Sequence, residues 1–85
     1  MTSTQNPHLV KAIVDLTVFL EFTDSRLLDV DASIQAMEQL ASELQLIDTK
    51  ARIELALQIR SLAETYADSA TREFVATLPE SLGLD

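Results

Sequence analysis

Apolar residues recur along this chain by steps of three and four. Leu9, Ile13, Leu16, Leu20, Leu27, Val30, Ile34, Met37 and Leu44 follow that spacing, with Thr23 and Ala41 completing the series. This is the period of one face of an α-helix; a half-buried strand alternates by twos. Between Pro7 and Pro79 there is neither proline nor glycine, so no strong helix breaker interrupts the pattern. The sequence predicts an all-α fold: a small antiparallel bundle of three main helices and a short fourth, forming a single domain over residues 1–85.

Local signals place the elements. Asn6-Pro7 starts a helix, because the asparagine caps free backbone N–H groups and proline fits the first helical position. This helix should run over about 7–22, after a flexible N-terminus at 1–6. It has two apolar rows, Leu9, Ile13, Leu16 and Leu20 on one face and Val10, Val14, Val18 and Phe22 on another. A helix apolar on so much of its circumference is central or shared with a second subunit. Asp31 is expected to cap a second helix over about 31–46, a start near Ser25 being the alternative. Its inner face is Ile34, Met37, Leu40, Ala41, Leu44 and Ile47, and its outer face Gln35, Glu38, Gln39, Ser42 and Gln45. Asp48-Thr49 then opens a third helix, about 49–67, folded against the second as a tight hairpin, with Leu55, Ile59, Leu62, Ala63, Tyr66 and Ala67 inward. Asp68-Ser69 restarts the chain as a helix of about 69–77, with Phe74 and Val75 inside. Pro79 is expected to stop it, leaving a tail at 78–85 in which Leu78, Leu82 and Leu84 fold back and Gly83 allows the final turn.

Composition narrows the chemistry. Eighty-five residues form a domain near the lower size limit for independent folding, where disulfides, a metal or a second subunit usually assist. With no cysteine and His8 as the single histidine, thiolate and histidine-rich metal sites are ruled out, and no cofactor is expected. Self-association remains, so a homodimer is expected, with the Val10, Val14, Val18, Phe22 row as its interface. The apolar-leaning stretch 9–22 is interrupted by Lys11, Asp15 and Glu21, which argues against a membrane span. The first six residues lack the basic start and apolar run of a signal peptide. A cytoplasmic location follows as an expectation.

The net charge is −8, and from Asp15 to Asp48 eight acids face Arg26 alone. Such a surface repels nucleic acid and anionic membranes and attracts a basic protein; the plainer reading is a charge that keeps a small protein soluble. Asp24, Asp29, Asp31 and Glu38 are the candidate partner-binding residues.

Enzymatic equipment is missing from the pattern. Nucleophilic catalysis needs a nucleophile within reach of a base, and His8 sits in a first helical turn where a solvated surface role fits. Asp29-Val30-Asp31-Ala32-Ser33 has the acidic spacing of a calcium loop, but Ile34 and Leu40 occupy the positions that need glycine and glutamate. A di-iron bundle site needs Glu-x-x-His pairs facing inward, and the chain has none. Arg52, Arg60 and Arg72 are too dispersed for a nucleic-acid surface.

Two resemblances remain. Asp24-Ser25 before an acidic amphipathic helix resembles the attachment site of acyl carrier proteins, which would make Ser25 the modified residue. Arg26 stands where that pattern has leucine. The profile from Leu9 to Leu84, in charge, size, the Asp48 hairpin and the Leu78-Pro79 tail, resembles the small acidic helical immunity proteins that neutralise toxins of bacterial type VI secretion. That resemblance implies a non-enzymatic, often dimeric protein whose acidic surface docks a toxin; it transfers no individual functional residue.

Overall fold

In a computed structural model the described residues, 6–24 and 26–84, form four helices: α1 (Pro7–Phe22), α2 (Val30–Leu44), α3 (Thr49–Ala63) and α4 (Ser69–Ser81). Each begins at a side-chain cap. Asn6 Oδ1 accepts from the His8 N–H at 2.8 Å, Asp48 Oδ1 from the Ala51 N–H at 3.1 Å and Asp68 Oδ2 from the Thr71 N–H at 2.9 Å. These carboxylates and amides satisfy donors that a helix start leaves open. At α2 the cap is Asp29, which accepts from the Asp31 N–H, so Asp31 stands in the first turn. α3 ends at Ala63, four residues short of the expected end. Thr65 Oγ1 bonds the Leu62 carbonyl at 2.7 Å, and the Thr65 and Tyr66 N–H groups turn back three residues rather than four. This tightening frees Asp68 to cap the next helix.

Pro79 does not stop α4; the helix continues to Ser81. The missing N–H removes one helical bond near the end, while the proline carbonyl closes the terminus. Leu84 N–H donates to Pro79 O at 2.9 Å and Gly83 N–H to Glu80 O at 3.1 Å, with Gly83 at φ +72°. This is a Schellman closure, which needs a left-handed residue after the cap. Pro79 and Leu84, the two positions whose apolar contact accompanies such a motif, are both buried.

The core joins Val10 and Val14 of α1, Leu55, Ala56, Ile59 and Ala63 of α3, Val75 and Leu78 of α4, and Leu82 and Leu84 of the tail. The broadest packing is between α3 and α4, with α1 laid against both. The α2–α3 hairpin expected from the sequence is not formed: α2 packs on α1 instead and supplies no fully buried residue. Met37, Leu40, Ala41, Leu44 and Ile47 only half-cover themselves against the core. The described chain measures 46 × 28 × 19 Å, and none of its helices is long and apolar enough to cross a membrane.

Candidate functional site

α1 turns its two apolar rows opposite to the sequence expectation. Val10 and Val14 are fully buried, Val14 at 0% exposure, and Val18 packs against the same core. Val10, Val14 and Val18 belong to the chain's own core and do not form a subunit interface, which corrects that part of the expected row; of its four residues Phe22 alone is exposed, at 48%. Phe22, at its end, meets Phe74 edge-on, with ring centroids 5.6 Å apart. Thr17 completes the inward face; its Oγ1 donates to the Val14 carbonyl at 2.7 Å, so its burial leaves no hydroxyl unpaired. Small β-branched side chains suit this position because α3 presents Ala56 and Ala63 in the same core. The larger residues face out. Leu9, Leu16 and Phe19 are 55%, 53% and 54% exposed, and Ala12 between them is exposed as well.

The four candidate acids separate into two pairs. Asp24 is turned onto Arg26: its carboxylate accepts from the Arg26 guanidinium at 2.8 Å and from the Arg26 N–H at 2.8 Å, which holds its carboxyl below the ordinary range. Asp29 is occupied as the α2 cap. Asp31 and Glu38 are exposed and two helical turns, about 10 Å, apart, on one strip with Gln35 and Ser42. Glu43, also exposed, adds charge at the far end of α2. Ser25 lies outside the described residues.

A second polar cluster stands on the other side of α1. Asp15 accepts from Lys11 Nζ at 2.8 Å and from Tyr66 Oη at 2.6 Å, and Lys11 Nζ lies 5.6 Å from the centre of the Tyr66 ring. The bonds from Lys11 and then Tyr66 lower the Asp15 carboxyl; burial, then the bond to Asp15, pushes the Tyr66 hydroxyl up to about 12. This triad ties α1 to the segment between α3 and α4. Among the described residues no group of three acids or histidines is placed to hold a metal ion.

Set against protein-family models, curated proteins and solved structures, the chain matches none of them. Its own surface has two distinctive faces: an acidic strip on α2 and an uncharged apolar stripe on α1.

Proposed function

We propose that this chain is a non-enzymatic protein-interaction module that binds a basic protein through the outer face of α2. Asp31, Glu38 and Glu43 carry the recognition, within the negative field of the whole 15–48 segment. The supporting observation is the division among the acids: Asp24 and Asp29 are used inside the chain, whereas Asp31 and Glu38 stand together on an exposed polar strip. The resemblance to immunity proteins gives this reading its specific form, neutralisation of a basic toxin. Partner identification from the source cells, followed by association kinetics, tests it. The on-rate should fall steeply with salt, as it does where opposite charges steer encounter. A partner whose on-rate ignores salt would leave the acids a solubilising role. An intact-mass increment on Ser25 matching a phosphopantetheine group would favour the carrier reading instead.

A further inference from the structure

The outward residues of α1 are spaced three, four and three apart, Leu9, Ala12, Leu16 and Phe19, and the half-buried C-cap Thr23 continues the spacing four residues on. That is the a/d seam of a heptad repeat, the pattern by which one helix receives another. Within a single chain the open part of this seam has no partner: α3 and α4 cover the opposite face of α1, and α2, which also packs on α1, leaves Leu9, Leu16 and Phe19 more than half exposed. We propose that it is the interface with a second copy of this chain, the two α1 helices pairing antiparallel about a two-fold axis near position 14. This face is separate from the acidic strip of α2.

Three observations select a second copy. The first is self-complementarity. Antiparallel pairing sets Leu16 against Ala12 of the other copy and Leu9 against Phe19, so a large side chain meets a small one at the centre and the bulkiest pair lies at the open ends. Parallel pairing would set Ala12 on Ala12 and Phe19 on Phe19, leaving a gap in one layer and a bulge in another, and would align the helix dipoles. The second is charge. In a chain of net charge −8, no seam position carries a charge, and the carboxylate on its flank, Asp15, is held by Lys11 and Tyr66. The third is area. Leu9, Leu16 and Phe19 are each more than half open, and with Ala12, Ile13 and Leu20 they reach the size of the largest apolar patch on a typical monomer, roughly 300–600 Å². Two such faces with their rims bury about 1,000 Å², the lower bound of a specific interface. The dimer is therefore a weak one.

Sedimentation of the whole chain tests the pairing. The mass should rise with concentration from 9.4 kDa towards twice that value. Leu16→Glu and Ala12→Glu should each weaken dimerisation by at least about tenfold. Helicity should be unchanged, because both positions are exposed and glutamate is a good helix former. Ile53→Glu, on the outer side of α3, should dimerise like the parent. The chain has no cysteine, so an equal mixture of Ala12→Cys and Leu16→Cys chains reports orientation directly: mixed disulfides should form ahead of like-with-like ones. A monomer at every concentration, a dimer untouched by both glutamates, or preferential Leu16→Cys self-linking would overturn the proposal. None of these outcomes bears on Glu38, so the reading of the acidic strip stands or falls separately.

Discussion

Gln45 Nε2 donates to the Leu82 carbonyl at 2.9 Å across 37 residues of chain, joining the end of α2 to the turn that closes α4. The bond matters because α2 has no fully buried residue to hold it. It also explains the single glycine. A Cβ at position 83 would lie 2.5 Å from Gln45 Nε2, and Gly83 already has a φ of +72°, where other residues are strained.

Gly83→Ala should therefore destabilise the fold by about 1–2 kcal/mol, combining left-handed strain with displacement of the Gln45 side chain. Gln45→Ala alone should cost about 1 kcal/mol. The double variant should lose less than the sum, since removing Gln45 leaves only the backbone strain. Chemical denaturation of the four proteins reads the coupling; strict additivity would mean that the amide moves aside freely.

Tyr66 is the only tyrosine in the sequence, so its ionisation is readable in ultraviolet absorbance. It should titrate near 12, first because of burial and then because of the Asp15 carboxylate. A tyrosine freed by unfolding ionises near 10, so above that pH the unfolded chain loses protons first and stability falls until about 12. Tyr66→Phe should remove this alkaline sensitivity. At the acid end the signs reverse: Asp15 and Asp68 are lowered, so their contribution is present above about 3.8 and fades as pH drops through their folded values. A Tyr66 midpoint near 10 in the folded chain would show that neither the burial of its hydroxyl nor its bond to Asp15 persists in solution.

The helices were legible because helical period and cap chemistry are local. Asn6, Asp48 and Asp68 cap the helices that sequence patterning assigns to them, and Gly83 sits in the final turn expected of it, there in a left-handed conformation. What was not legible depends on which surfaces meet. The spacing on α1 supports either row as the inner one, and it is the assembled core, shared with Ala56 and Ala63, that takes up Val10 and Val14 with Thr17 buried beside them and leaves Leu9 and Leu16 outside. Pro79 reads as a stop because its ring forbids a donor, but its role in the closed terminus uses its carbonyl, which no propensity records. The acids posed the same difficulty. Asp24 and Asp29 have the composition of a binding patch and the geometry of internal partners.

The two faces of α1 should respond oppositely to truncation. Val14→Ala removes methyl groups from a site with no exposure and should cost about 2 kcal/mol. Val14→Asp should unfold the chain, because a carboxylate there would have no partner. Leu9→Ala, on the open face, should change the stability of the isolated chain by less than about 0.5 kcal/mol. Thermal melts followed by circular dichroism at low concentration separate the cases, and equal losses at Val14 and Leu9 would contradict this burial pattern.

The acids on and before α2 should divide in the same manner between folding and recognition. Asp29→Ala removes the side chain that caps the helix and should lower stability by about 1 kcal/mol. Glu38→Gln removes a charge from an exposed strip and should leave the melting temperature within error. Against a basic partner the ranking reverses. Neutralising Asp31, Glu38 and Glu43 together should slow association and flatten its salt dependence, because exposed charges act mainly on encounter. Asp24→Asn should matter less for association, since Arg26 already offsets that carboxylate. If Asp24→Asn slows association as much as the triple change, the recognition surface lies on the connection before α2 and not on the helix face.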